Sequence, residues 1–230
     1  MSDAVDLRVD WCSYEAAKYA VEKWHYSQTV PAGKNVYLGA WEDGRFIGAV
    51  IIGTGASSSL GGPYGLKWNE CSELVRVALS RHRCRVSSIV SKAIRLFSNQ
   101  SPNIRLLVSF ADPREGHVGS IYQAMNWIYT GKSQDSTAYE LNGKLLHTRA
   151  FTVSAWYGGV NRKIPAGATK TKLPGKHRYL YPLDRAMRKQ IAPLAQPYPK
   201  RESCGPGVEG DTAIDQVAGA GSIPAARSID

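Results

Sequence analysis

The sequence predicts a mixed α/β fold, a mostly antiparallel central sheet flanked by helices, with a basic C-terminal extension. Three observations carry this. Short β-type runs cluster in hairpins in the first half of the chain, at 35–42, 45–53 and 72–79. Apolar residues recur at helical spacing over 14–24 and 86–98, and a largely apolar strand follows at 104–112. Basic charge is concentrated between residues 150 and 201. The chain has 230 residues, of which 43% are hydrophobic, enough for a packed core and against global disorder. No run approaches the roughly 18 apolar residues of a membrane span.

VDLRVDW (5–11) reads as a short strand. Ser13 is placed to cap a helix over 14–24, with Glu15 in the first turn, where the helix dipole favours an acid, and Tyr14, Ala17, Val21 and Trp24 on one face. Pro31 and Gly33 mark a loop. NVYLGAWE (35–42) and RFIGAVIIG (45–53) are hairpin strands joined by the turn Asp43-Gly44. The Gly/Ser-rich stretch 53–65 lacks the strand-before, helix-after context of a phosphate loop. SELVRVAL (72–79) is the next strand, and a basic turn, Ser80–Arg85, leads into the helix 86–98. Its face is Val86, Ile89, Val90, Ala93, Ile94 and Phe97. IRLLVSFAD (104–112) suits a sheet centre and is broken by Asp112-Pro113. A short helix near 117–125, a strand at 127–131 and a strand or pair near 137–152 follow, with a basic helix at 183–191.

The net charge is +10. Residues 1–149 carry 17 basic and 13 acidic side chains, 150–201 carry 11 and one, and 202–230 carry one and five. The middle segment thus holds nearly all the excess, interleaved with Trp156, Tyr157, Tyr179, Tyr181 and Tyr198. Cations mixed with aromatics suit a polyanion with stackable bases, and a solvated basic surface is the alternative. The expected division is a catalytic domain over 1–150, a DNA-contacting extension over 151–201 packed on it, and a disordered Gly/Ala/Pro-rich tail over 202–230. Cys12, Cys71, Cys84 and Cys204 form no CxxC pair, which argues against a zinc ribbon or a disulfide scaffold. The acidic N-terminus lacks a signal peptide's basic start, so the expected compartment is a reducing cytoplasm. The oligomeric state is left open, a dimer among the options.

A strand, a basic turn, a helix and a second strand and helix resemble the GNAT-type N-acetyltransferase fold. There, the turn before the long helix holds the pyrophosphate of coenzyme A on backbone N–H groups. Here that turn, RHRCRVSS (81–88), lacks the family's two glycines, and side chains stand in for them. Arg76, Arg81, Arg83, Arg85 and Ser87 are the cofactor-binding candidates. A closer match lies in KWHYSQTVPAGK (23–34), CSELVRVALSRHR (71–83), SFADPREGHVGSIYQAMNWIYTG (109–131) and YLYPLDRAMRKQ (179–190). These blocks resemble the phage Mu Mom family of DNA modification proteins over about residues 7–192. The resemblance implies conversion of adenine N6 in double-stranded DNA to N6-(carbamoylmethyl)adenine, protecting the DNA from host restriction. It also implies an acetyltransferase-like fold, acetyl-CoA as a suggested donor and iron as a suggested cofactor.

With that resemblance, His25 and Tyr26 become catalytic and metal candidates, since both bind metals or move protons. Helix-end capping is the alternative. Asp112, at the C-terminal end of a central strand, is a candidate general base or iron ligand, against a structural Asp-Pro turn. Ser109 is a catalytic candidate whose spacing places it on a different face from Asp112. Tyr122, five residues after His117 on the same expected helix, could protonate a leaving group as a tyrosine does in acetyltransferases, or be a core aromatic. Glu73 and Arg76, three apart on one strand, are expected on opposite faces, one toward the cleft. A lone charge in an apolar strand costs several kcal/mol, on the order of 3, so each needs a partner. Arg162, Lys163, Lys170, Lys172, Lys176, Arg178, Arg185 and Arg188 are the DNA-binding candidates, and Tyr64, Trp68 and Trp156 the expected stacking partners for an everted base. No GxSxG, HExxH, P-loop or adenine-methyltransferase signature is present. A coenzyme A-dependent acetyltransferase acting on a protein or small molecule is the second reading. A DNA-binding protein that blocks restriction by occupancy is the third.

Overall fold

A computed structural model describes residues 5–55, 57, 59–147 and 164–200. Trp156, Tyr157, Arg162, Lys163, the 202–230 tail with Cys204, and the end of the strand pair expected up to 152 lie outside the described residues.

The strands are β1 (Leu7–Trp11), β2 (Asn35–Glu42), β3 (Arg45–Gly53), β4 (Cys71–Leu79), β5 (Leu106–Ala111), β6 (Ile128–Lys132), β7 (Ser136–Leu141), β8 (Lys144–His147), β9 (Thr169–Leu173) and β10 (His177–Pro182). The helices are α1 (Tyr14–Trp24), α2 (Val86–Gln100), α3 (Ser120–Ala124) and α4 (Arg185–Ile191). Seven strands form the central sheet in the order β1-β2-β3-β4-β5-β10-β6, and β8-β7-β9 form a separate small sheet. Every neighbouring pair in the central sheet is antiparallel except β4 and β5. The mixed, mostly antiparallel architecture expected from the sequence is what forms.

Local chemistry explains the early elements. Ser13 Oγ accepts the Ala16 N–H at 3.2 Å and starts α1. Asp43 and Gly44 both have positive φ (48° and 78°), the turn geometry that matches the twist of a two-residue hairpin. α1 buries Ala17, Ala20 and Val21 against Ala49, Ile51 and Ala78 on one face of the sheet. α2 buries Ile89, Val90, Ala93, Ile94 and Phe97 against Leu38, Val50, Ile52, Leu74 and Leu107 on the other. Each Val, Leu, Ile or Phe among these contributes roughly 1.5–3 kcal/mol of apolar burial. α4 packs Met187 and Ile191 on Leu106, Val108 and Leu180. Leu107 and Val108 point to opposite faces, so α4 shares the face of α1.

β10 departs most from a sequence-local reading. It lies between β5 and β6, pairing Tyr179 with Ser109 and with Tyr129. Residues 177–182 are therefore an interior strand of the central sheet. Tyr179 is fully buried, and its hydroxyl donates to the Val118 carbonyl. Gly119 sits against that ring with φ of 78°, where a Cβ would come within 2.4 Å of the tyrosine. Only glycine both adopts this conformation and leaves room, so β10 sets the entry to α3. Among the described residues no helix is long and apolar enough to cross a membrane. Among the described residues Cys12, Cys71 and Cys84 form no disulfide.

Candidate functional site at the divergence of two parallel strands

β4 and β5 pair over three residues only, Cys71–Glu73 with Leu106–Val108. Beyond that point β4 follows β3 and β5 follows β10, and the sheet opens between them. A bulge helps to cause this. Ile51 pairs with Arg76 and Ile52 with Leu74, so Val75 is an extra residue that bends and twists β4. The bulge also corrects the expectation for Glu73 and Arg76. Leu74 and Val77 both pack under α2. Arg76 pairs with Ile51, which packs under α1. With one extra residue between them, Glu73 and Arg76 share the α1 face rather than opposing each other. Arg76 Nη1 donates to the Val75 carbonyl at 2.8 Å, and its buried Nε meets no partner among the described residues.

Ser109 spans the opening. Its Oγ lies 2.8 Å from the Leu74 carbonyl and 2.7 Å from the Tyr122 hydroxyl. A serine has one proton and a carbonyl only accepts. The serine proton therefore goes to Leu74, and Tyr122 donates to Ser109. Burial pushes the Tyr122 pKa up to about 12, against the pull of Ser109. A phenol held this way keeps its proton and directs it at Ser109.

α1 ends where His25 takes extended geometry while its N–H still reaches Val21. Ser27 then donates its backbone N–H to His25 Nδ1 at 3.1 Å, with Ser27 Oγ at 2.8 Å. An Nδ1 that accepts leaves the ring proton on Nε2. Burial, then the positive charge of Arg76 and the ring of His117, lower the His25 pKa to about 4. His25 is thus a neutral donor at physiological pH. Its ring lies 4.3 Å from that of Tyr26, which meets His117 edge-on at 5.4 Å. Desolvation raises the Tyr26 pKa; Arg76 opposes this and Asp112 adds to it. His117 precedes α3 rather than lying on it; its N–H bonds the Asp112 carbonyl at 3.2 Å. His25, Tyr26, Arg76, Asp112 and His117 therefore form one electrostatic cluster, and Tyr122 with Ser109 adjoins it.

Asp112 is 3% exposed and caps the 3-10 turn Pro113–Glu115. Arg114 Nη2 reaches its Oδ2 at 2.8 Å, Arg114 Nε its Oδ1 at 3.1 Å, and Lys176 Nζ its Oδ2 at 3.2 Å. Burial pushes its pKa up, but the bonds from Arg114 and the charge of Lys176 outweigh this and bring it to about 2. So weak a base does not accept a proton near neutral pH, which corrects the expected base role: Asp112 positions two cations. The same bonds speak against iron on His25, Tyr26 and Asp112, because a metal would displace cations from both carboxylate oxygens. Among the described residues no group of three or more His, Cys, Asp and Glu side chains is arranged to hold a metal ion.

The other candidates divide. Arg83 pairs with Asp43, and Arg45 donates to the Arg81 carbonyl at 2.9 Å. Arg85 precedes α2 without a side-chain cap bond, and Ser87 lies in the first turn. Lys176 serves Asp112, Lys172 pairs with Asp135 at 3.0 Å, and Arg178 Nε bonds Thr130 at 2.9 Å. Lys170, Arg185 and Arg188 are exposed. Tyr64 is 6% exposed, a core residue unable to stack on a base, whereas Trp68 is 69% exposed. The sequence reading missed Arg114 and Lys176 as partners of Asp112; the -DPRE- motif was a signal for the first, and nothing local pointed to the second.

Residues 6–200 match the family model described as the Mom protein family. Methylcarbamoylase mom of Escherichia phage Mu is 29% identical over 206 residues, covering 85% of this chain and 84% of that protein. Among solved structures, FeeM, an N-acyl amino acid synthase from uncultured soil microbes, aligns with a TM-score of 0.46 at 13% identity, covering 84% of this chain and all of that one. An acetyltransferase of the GNAT family from Streptococcus pneumoniae aligns with a TM-score of 0.44 at 14% identity, covering 77% of this chain and 100% of that one.

Proposed function

The chain belongs to the Mom protein family, and from this we propose that it is a transferase that modifies adenine N6 in double-stranded DNA with a carbamoylmethyl group. The observation that supports the reading most is the convergence of His25, Tyr26, Arg76, Ser109, Asp112 and Tyr122 on one opening, within the residues matched by the family model. The reaction breaks one N6–H bond and the bond between the donor's carbamoylmethyl carbon and its leaving group, forms one N6–C bond, and lets the proton depart with the leaving group. His25 Nε2–H donates to an acceptor atom in the site, and Arg76 supplies fixed positive charge beside it. The Tyr122 oxygen, its own proton held by Ser109, accepts the N6 hydrogen as a hydrogen bond and orients the exocyclic amine. Tyr26, 52% exposed, lies at the mouth of the site, where an entering purine would stack.

A duplex hides N6 within the base stack, so the adenine must be turned out. Lys170, Arg185 and Arg188 are exposed cations suited to phosphate contact, and Trp68 is an exposed ring suited to stacking. Affinity for DNA then falls steeply with salt. The test is mass spectrometry of nucleosides from plasmid propagated with and without the protein. A deoxyadenosine heavier by a carbamoylmethyl group supports the proposal. Unmodified deoxyadenosine throughout, with the protein folded and expressed, overturns it, and acetylated deoxyadenosine would replace it with acetyl transfer.

A further inference from the structure

Glu42 ends β2 and is 3% exposed. Its Oε1 accepts the Cys84 N–H at 2.6 Å and the Arg83 N–H at 2.9 Å, and its Oε2 lies 3.0 Å from the same Arg83 nitrogen. These amides belong to the turn that leads into α2, the turn that a coenzyme A pyrophosphate would need in the fold this chain was expected to share. The surrounding contacts hold the same arrangement. Asp43, next to Glu42, pairs with the Arg83 guanidinium. Arg45 donates to the Arg81 carbonyl, and Ser80 donates its N–H to the Ile47 carbonyl at 2.8 Å. His82 Nδ1 lies 2.7 Å from the Cys84 carbonyl. The turn is thus stapled to the β2–β3 hairpin by both backbone and side chains.

We infer that Glu42 is a built-in anion that occupies two N–H donors of the turn ahead of α2, those of Arg83 and Cys84, so that this chain takes no nucleotide diphosphate there and receives its modifying group without a docked coenzyme A. Two physical points carry this. The Arg83 and Cys84 donors are already satisfied by a carboxylate, and a buried donor gains nothing by exchanging one anion for another. The carboxylate is also ionised: burial raises its pKa, but the bonds from the Cys84 and Arg83 amides outweigh this and hold it below the ordinary range. A diphosphate brought alongside would meet the like charge of this carboxylate. The residues of this turn therefore do not fit the group. The inference deepens the proposed function by excluding one class of donor.

Calorimetric titration of the purified full-length chain tests it, using coenzyme A and inorganic pyrophosphate separately. No saturable binding of either at millimolar concentration is expected. In Glu42→Gln the charge is gone, and pyrophosphate affinity is expected to rise at least about tenfold. Saturable coenzyme A binding by the unaltered chain, competed by pyrophosphate, overturns the inference. Should Glu42→Gln fail to fold, amide NMR of the unaltered chain decides. The Arg83 and Cys84 N–H signals are expected to titrate together with one carboxylate below its usual pKa and to ignore added pyrophosphate; signals that move with pyrophosphate overturn the inference. These readouts require no DNA modification, so a failure of the proposed reaction is told apart from a failure here.

Discussion

The Tyr122 hydroxyl lies 2.7 Å from Ser109 Oγ, and that serine in turn bonds the Leu74 carbonyl across the opening between β4 and β5. Two strands that no longer pair are bridged by one side chain, and α3 is pinned to the bridge.

Ser109→Ala removes the partner of both a buried carbonyl and a phenol. It is expected to cost about 1–3 kcal/mol in urea denaturation. Tyr122→Phe is expected to cost about 1 kcal/mol, and the double variant less than the sum, because the pair shares one bond. Additive losses would show that the two hydroxyls act separately.

Asp112→Asn is expected to flatten the acid limb of the stability profile. The folded pKa, about 2, lies below the unfolded value near 3.9. The carboxylate's contribution is therefore fully present above about pH 4 and is lost as pH falls through 2, amounting to about 2 kcal/mol. Thermal unfolding of both proteins between pH 2 and 7 checks this, and parallel curves would contradict it.

His25 is expected to titrate with a midpoint of about 4 when its ring protons are followed by NMR. Its pKa is depressed in the folded state, so the unfolded chain binds the proton first. The stability associated with it falls as pH drops from about 6.5 to 4. Modification activity carries no His25 ionisation between pH 6 and 8. A midpoint near 6.5 would refute the neutral donor.

Tyr26→Ala is expected to cost no more than about 1 kcal/mol of stability, since the side chain is 52% exposed. With the stacking ring gone, nucleoside mass spectrometry is expected to show at least a tenfold loss of modified deoxyadenosine. Full activity in the variant would remove Tyr26 from the site.

Where one stretch of chain carries its own reasons, the sequence was legible. Ser13 and Glu15 started α1 as expected, Asp43-Gly44 closed the hairpin, and the apolar face of α2 is the buried one. The blocks that hold His25, Asp112 and Tyr122 pointed to one region. Lys176, Arg178 and Tyr179 were read as part of a basic extension, yet Lys176 charges the site, Arg178 bonds Thr130 and Tyr179 is core. A basic residue's partner is set by the neighbour it meets, and HRYLYP has no sequence-local mark of insertion between strands some seventy and fifty residues earlier.

The sequence by itself determined the types of the elements up to the strand after α3 and the central apolar strand, because capping, turn geometry and periodicity act within a few residues of chain, and its long matching blocks carried the family resemblance. Tertiary structure alone decided which side chains share a face and which protons are free. The Val75 bulge brings Glu73 and Arg76 together, the insertion of β10 brings Lys176 to Asp112, and the return of β2 to the turn before α2 places Glu42 on the Arg83 and Cys84 amides. Each depends on register between segments distant in the chain, where one residue of slip moves a charge to the opposite face.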